Sequence, residues 1–172
     1  MGMNSITEFT TALGAGVRSN RYKVILVLPD GISGDLQTLS LMVQATTIPS
    51  VEVGVIEAMF KGQKTKLAGD YAAGGEWTVT VILEDGATAA TAKKVVDQWV
   101  QLTKNEKDPQ KYKSNATVEV FSANQDQHSI LKYEIENIWV PNTGEISLSD
   151  ESTDEVIKFD ISFQYDDVKP LY

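Results

Sequence analysis

The sequence predicts a mainly β fold, an antiparallel β-sandwich or barrel with one packed α-helix. Residues Glu155–Tyr165 alternate apolar and polar side chains, which is the two-residue period of a strand with one buried face. Glu76–Glu84 alternates in the same way. Ala87–Thr103 instead places its apolar residues at helical spacing. Together these patterns favour a sheet structure that a single helix helps to cover.

The other elements are assigned in chain order. Ser5–Leu13 is predicted as a short helix, because Ser5 and Glu8 have the spacing of a capping box. Arg21–Leu28 is apolar on both faces, which is typical of a strand buried on both sides. Leu39–Thr47 and Val51–Phe60 flank the short segment 48–50 and are predicted to form a hairpin. Further strands are predicted at Asn115–Ser122 and Leu131–Val140.

The main helix, Ala87–Thr103, is predicted to start at a cap formed by Asp85 or Gly86. Its apolar residues Val95, Trp99 and Leu102 share one face at helical spacing, so we expect that face to pack on the sheet.

Composition limits the class of protein. The chain has 172 residues, of which 42% are hydrophobic and 23% charged, so we expect one globular domain over residues 1–172. Its formal net charge of -9 argues against a protein that holds nucleic acid through basic patches. The absence of cysteine excludes disulfides and thiolate chemistry. The start lacks the pattern of a signal peptide, and no apolar run approaches the roughly 20 residues that span a bilayer. We therefore expect folding in a cytoplasm and no membrane insertion.

No residue pattern indicates catalysis, a cofactor or a metal. His128 is the only histidine, and it lies in a polar stretch with Asp126 as the nearest candidate to orient it. A loop histidine without a catalytic role is the favoured interpretation. The acidic residues lack the ligand spacing of an EF-hand loop, so a solvated turn is favoured over a calcium site. These residues are Asp150, Glu151, Asp154 and Glu155. We expect a non-enzymatic protein.

The segment Val51–Phe60 is unusual because both of its faces are apolar. Val53 and Val55 lie on one face and Ile56 on the other. Such a strand is either central in a monomer or covered by a neighbouring chain, and the sequence leaves both possibilities open.

The order of segments resembles the tail tube proteins of contractile-tailed phages. The similarity rests on Ala45–Pro49 (ATTIP), on Lys66–Asp70 leading into Trp77–Val81 (WTVTV), and on Ile138–Leu148 (IWVPNTGEISL). It covers nearly the whole chain, and the Ala72–Gly75 loop (AAGG) departs from the family pattern.

The resemblance implies a structural protein of the virion that is assembled in the host cytoplasm. Family members form six-membered rings in which strands from each subunit close one β-barrel. The implied partners are further copies in stacked rings, the tail sheath, the baseplate and the tail terminator, while genomic DNA passes through without specific binding. The candidate segments for contacts between rings and between neighbours are the hairpin around Thr47–Ser50 and the loop Gly62–Gly75. The candidate subunit-contact residues are Thr47, Pro49, Val51, Val53, Val55, Ile56, Lys61, Lys64, Lys66 and Asp70.

Charge gives two further expectations. An acidic chain that does not hold DNA favours an acidic channel wall, with Glu119, Glu134, Glu136 and Asp160 as the candidate lining residues. The lysines at 61, 64 and 66 and the acidic residues Asp150, Glu151, Asp154 and Glu155 are predicted to pair across rings or subunits, the alternative being two solvated loops.

Two other functions remain open. The inner tube of a tailocin or a type VI-like injection device would share this fold and carry protein or nothing. A monomeric β-sandwich that binds carbohydrate is more distant, because it would expose aromatic side chains in loops, whereas this chain places most of them in strands.

Overall fold

The computed structural model describes residues 5–86, 89–123, 128–151 and 155–171. The helices in these ranges are α1 (Ile6–Leu13), α2 (Leu36–Met42), α3 (Thr91–Asn105) and α4 (Pro109–Tyr112). The strands are β1 (Tyr22–Leu26), β2 (Val43–Thr46), β3 (Glu52–Phe60), β4 (Gln63–Ala72), β5 (Gly75–Ile82), β6 (Ser114–Phe121), β7 (Ser129–Ile138), β8 (Lys158–Tyr165) and β9 (Asp167–Pro170). The predicted class, mainly β with one principal helix, is confirmed.

The strands form three sheets, and every pairing between them is antiparallel. Sheet A has the strand order β1-β6-β7-β9, and sheet B has the order β2-β5-β8. Strands β3 and β4 pair with each other as a two-stranded sheet, the β3–β4 hairpin.

One hydrophobic core lies between sheets A and B and α3. Phe163 of β8 stacks on Trp77 of β5 with ring centroids 5.2 Å apart, and it meets Trp99 of α3 edge-on at 5.8 Å. The indole N–H of Trp77 donates to the carbonyl of Thr47 at 2.8 Å, and that of Trp99 donates to the carbonyl of Tyr112 at 2.7 Å. These hydrogen bonds satisfy the polar atoms that the buried indoles carry into the core.

The period-two prediction for β8 and the predicted buried face of α3 are both confirmed. Phe159, Ile161 and Phe163 are buried on one face of β8. In α3, Val95 and Trp99 are buried, and Leu102 is half-buried.

Sheets A and B are joined at one side of the core. The backbone groups of Trp139 and Gln164 exchange hydrogen bonds of 3.0 and 2.9 Å. The chain therefore leaves sheet A after β7 and pairs with the edge of β8. In sheet A, β1 and β9 remain the terminal strands.

The predicted start of the main helix is wrong. Helix α3 begins at Thr91, and neither Asp85 nor Gly86 caps it. The carboxylate of Glu84 instead accepts the backbone N–H of Thr91 at 2.7 Å. Ala87 lies outside the described residues. The capping box of α1 is confirmed, because Ser5 N–H donates to the Glu8 carboxylate at 2.8 Å and Glu8 N–H donates to the Ser5 hydroxyl at 3.2 Å.

The prediction of a strand over Leu39–Thr47 and a hairpin with Val51–Phe60 is wrong. The first part of that segment belongs to helix α2, whose start is capped by the Asp35 carboxylate, which accepts the Gln37 N–H at 3.0 Å. Strand β2 follows and pairs with β5. The partner of β3 is β4, after a two-residue turn at Lys61 and Gly62 in which both φ angles are positive (46° and 80°). Such turns match the twist of a hairpin.

Burial of the first strand on both faces is also wrong. Val24 and Leu26 are buried, but Val27 is 55% exposed and Lys23 is exposed. Strand β1 has one core face because sheet A packs on the core with only one of its faces.

Replacing Trp99 with alanine is expected to lower the free energy of unfolding by about 3–5 kcal/mol, because Trp99 is fully buried between Phe163 and α4. Chemical denaturation of the unassembled subunit measures this. The control is Phe9→Ala, which removes an aromatic ring that is 59% exposed and should change stability by less than about 0.5 kcal/mol. Equal effects of the two substitutions would contradict the assignment of Trp99 to the core.

Candidate assembly surfaces

The β3–β4 hairpin exposes apolar side chains on both faces. On β3, Val55 is 66% exposed and Ile56, on the opposite face, is 53% exposed. Every other residue of the two strands is exposed as well, apart from the half-buried Ala58 and Gly69. The possibility that this segment is a central strand of the monomer is therefore wrong. Large exposed apolar surfaces of this kind mark contact sites.

A glycine pair divides the hairpin. A Cβ on Gly54 would lie 3.1 Å from the carbonyl oxygen of Asp70, and a Cβ on Gly69 would lie 3.1 Å from that of Gly54. The two backbones approach each other more closely here than side chains allow, and the register shifts by a bulge between Val53 and Val55. The glycines separate the base of the hairpin from residues 55–68, which we term the outer arm.

One side-chain hydrogen bond ties the base of the hairpin to sheet A. The Tyr71 hydroxyl donates to the carboxylate of Asp167 on β9, and the same carboxylate accepts the N–H of Val168 at 2.8 Å. The Tyr71 hydrogen bond, then that of Val168, lowers the pKa of Asp167 below its usual range. The same contact raises the pKa of Tyr71. This bond holds the hairpin against a terminal strand of sheet A.

Most of the predicted subunit-contact residues lie together on the hairpin. Val53, Val55 and Ile56 belong to β3, and Lys64, Lys66 and Asp70 belong to β4, with Lys61 in the turn between them. Thr47, Pro49 and Val51 lie in the connection from β2 to β3.

Gly62–Gly75, predicted as a loop, is largely strand β4, and this prediction is wrong. The segment contains Thr65 and Tyr71, whose residue types are common in strands, and the hydrophobic Leu67. The Lys61–Gly62 turn precedes them, so the sequence carries a signal for the second strand of a hairpin.

Three of the predicted channel residues share the outer face of sheet A. Core residues Val118 and Ile135 fix the opposite face of their strands, so Glu119, Glu134 and Glu136 point away from the core. Asp160 is not among them, because it belongs to β8 of sheet B, where the Thr80 hydroxyl donates to it at 2.6 Å.

Lysines lie beside these glutamates on the same face. Lys132 pairs with Glu119 at 3.4 Å, and Lys169 pairs with Glu136 at 2.8 Å. Lys23 lies opposite Glu119 in the β1–β6 register. The cross-strand neighbours of a sheet become visible only once the register is known. We term this surface the polar face of sheet A.

The histidine and acidic residues of the described ranges do not form a metal site. No group of three or more His, Asp or Glu side chains among them is placed to bind a metal ion. His128 is exposed, and Asp126, its candidate partner, lies outside the described residues, as does Asp154. No helix within the described ranges is long and apolar enough to cross a membrane.

The family is decided by the match of residues 17–169 to the sequence model of the phage tail tube proteins. The chain belongs to the phage tail tube protein family. Tail tube protein gp19 of Enterobacteria phage T4 is 28% identical over 137 residues, which cover 76% of this chain and 80% of that protein. The phage T6 protein of the same name matches equally well. The chain is thus a structural component of the virion, a subunit of a contractile phage tail.

Solved structures of contractile injection systems share the fold of this tail tube protein. The tube-terminating cap of the anti-feeding prophage superposes with a TM-score of 0.63 at 12% identity, covering 90% of both chains. A chain of the sheath–tube complex of an extracellular contractile injection system gives 0.57 at 14% identity, covering 98% of this chain and 99% of that one. These similarities place sheets A and B and α3 in a known architecture.

The Tyr71–Asp167 hydrogen bond predicts a pH window for the anchoring of the hairpin. Asp167 has a lowered pKa, so the bond is complete above about pH 4 and is lost as pH falls through the folded-state pKa. Tyr71 has a raised pKa, so the bond persists to about pH 10 and is lost as pH rises through the folded-state value. Carboxyl ¹³C NMR titration of Asp167 measures the lower limit.

In Tyr71→Phe, the pKa of Asp167 is expected to rise toward its usual range. Tyr133→Phe is the control, because Tyr133 lies opposite Pro170 at the far end of β9. If the pKa of Asp167 were the same in Tyr71→Phe as in the wild type, the Tyr71–Asp167 hydrogen bond would not be what anchors the hairpin.

Proposed function

We propose that this tail tube subunit assembles as six-membered rings that stack into a tube inside a contractile sheath, with the phage genome passing through the channel. The observation that carries this proposal is sheet A, a four-stranded antiparallel sheet with a polar outer face and a terminal strand on each side. Closure of such sheets into one barrel leaves no strand edge open.

The directions of the terminal strands suit ring closure. Three antiparallel pairings separate β1 from β9, so these two strands run in opposite directions. Rotation about a ring axis keeps each strand's direction along that axis. The β1 of one copy therefore meets the β9 of the next in antiparallel orientation, and the pattern continues around the ring.

In this barrel the polar face of sheet A lines the channel. Glu119, Glu134 and Glu136 are interleaved with lysines that they pair with or lie beside. Lysines paired with carboxylates bind phosphates weakly, because retention of DNA depends on unpaired cationic side chains that displace counterions from the DNA. Asp160, on sheet B, is not proposed to line the channel. These three glutamates balance Lys23, Lys132 and Lys169, and a lining without an excess of positive charge lets DNA pass.

The hairpin is proposed to be covered by a neighbouring copy. An isolated two-stranded hairpin is marginally stable in water, and this one exposes Val55, Ile56 and Phe60 to 53% or more. Burial against a neighbour removes this apolar surface from water, which is the main favourable term in association.

The comparisons support the same partners. Similar folds occur in an injection-system sheath–tube complex, in a sheath/tube terminator and in a baseplate, so sheath, terminator and baseplate proteins are the proposed partners here. A tailocin or injection-device tube would share the fold, but the relatives at 28% identity are phage tail tube proteins and favour the phage tail. A carbohydrate-binding module is disfavoured, because Trp77 and Trp99 are fully buried.

Val55→Glu is expected to leave a folded subunit that does not assemble. Val55 is 66% exposed and contributes nothing to the core, so circular dichroism should be unchanged, while a buried charge at the contact prevents rings. Analytical ultracentrifugation gives the particle mass. The control is Val17→Glu, which adds the same charge at a residue 56% exposed outside the hairpin. Rings formed by Val55→Glu as readily as by the wild type would exclude the hairpin from the contact.

Tubes whose polar face is made basic are expected to retain DNA. Replacing Glu119, Glu134 and Glu136 together with glutamine removes the carboxylates that pair with Lys132 and Lys169. At low salt these tubes should bind duplex DNA at least about tenfold more tightly than wild-type tubes, and the gain should disappear as salt rises. Filter binding at several salt concentrations measures it. Equal, weak binding by both tubes would show that this face does not line the channel.

A further inference from the structure

A second exposed apolar surface lies on sheet B and its neighbouring loop. It is a groove of about 870 Å³ between the end of β5, the start of β8 and the segments that precede β8. Its apolar lining includes Leu148, Val156 and Ile157, which are 79%, 59% and 38% exposed. Glu145 and Glu155 also line it, and Asp150 and Glu151 lie exposed in the adjoining turn. We term this the acidic groove.

The acidic groove and the hairpin lie at opposite ends of the same strand pair. Strand β4 ends at Ala72, and β5 begins at Gly75, which pairs with Tyr165. The far end of β5 is Ile82, which pairs with Lys158 beside the groove. An eight-residue strand spans roughly 25 Å. The hairpin therefore leaves the body at one end of sheet B and the groove opens at the other.

The outer arm of the hairpin carries the positive charge that the acidic groove lacks, together with exposed apolar side chains. Near its turn, Met59 and Phe60 are 65% and 69% exposed. The arm carries three lysines, at positions 61, 64 and 66, and a single acidic residue, Glu57, which lies 3.8 Å from Lys64. Among the groove-lining residues, Lys158 is the one cation against Glu145 and Glu155. Apolar surface and opposite charge thus match on both sides.

We propose that the acidic groove receives the turn end of the outer arm, residues 59–66, from a second copy of this chain in the next ring of the stack, while Val55, nearer the base of the hairpin, lies at the contact within a ring. This inference rests on the proposed function and names the partner surface of the hairpin. The groove and the arm differ, so the contact is heterologous, and placed between successive rings it repeats along the ring axis without closing. Each contact recurs around the ring, so weak exposed ion pairs act together.

Charge exchange between the two surfaces tests this proposal. Lys64→Glu and Glu155→Lys each place like charges at the contact, and the double variant restores opposite charges. Both side chains are exposed, so the fold should be unchanged by circular dichroism. At low salt, each single variant is expected to form rings of normal mass whose association into tubes is at least about tenfold weaker, because a small loss repeats around the ring. The double variant should recover most of the tube length seen by electron microscopy.

The matched control is Lys107→Glu, which makes the same charge change on the exposed segment between α3 and α4. It should leave tube length unchanged. Normal tubes from either single variant, or no recovery in the double variant, would overturn the proposed groove contact while leaving the rings intact. A wild-type chain that forms no rings would instead contradict the proposed function. Tubes of normal length that fail only to bind sheath in Glu155→Lys would assign the groove to the sheath protein, and this too would overturn the proposal.

Discussion

Phe163 lies between the indoles of Trp77 and Trp99, and this aromatic contact holds sheet B and α3 together. Sheet A closes the same core from the other side through residues such as Val118 and Ile135. Each sheet therefore packs one face on the core, and the single long helix covers the remaining apolar surface between the two sheets. Nothing in the described subunit is left to cover the β3–β4 hairpin. The exposed surfaces of the subunit follow from this distribution of core elements.

The hairpin is ordered by local constraints, since it has no core of its own. Backbone pairing, the close approach of Gly54 and Gly69 and the Tyr71–Asp167 hydrogen bond set its shape and its attachment to β9. None of these buries the apolar side chains at 55 and 56. An arm with a paired backbone and uncovered apolar faces is well suited to contact another copy, because its backbone has little conformational entropy left to lose on assembly.

The sequence predicts elements well where one face is buried. The alternation in β8 and the Val95 and Trp99 face of α3 are read correctly because burial selects the side chains on one side. Strand β4 is not predicted, for the opposite reason. Both of its faces are exposed in the subunit, so its sequence does not need to alternate apolar and polar residues. The Leu39–Thr47 segment fails because a short apolar run does not distinguish helix from strand, although Asp35 marks a helix start. Alternation also assigns Asp160 to a polar face without telling which sheet that face belongs to.

In the proposed assembly, the two kinds of unsatisfied surface point in different directions on the subunit, and joining both kinds would build a tube. The backbone edges of β1 and β9 lie at the sides of sheet A, so pairing them joins copies laterally. Lateral pairing closes after a fixed number of copies and leaves no edge. The hairpin and the acidic groove lie at the two ends of sheet B, so joining them adds copies along the strand direction. That contact never closes, because each added copy presents a new free end. In the proposed assembly, a closed lateral contact combined with an open axial one gives stacked rings, with the polar face of sheet A along the whole channel.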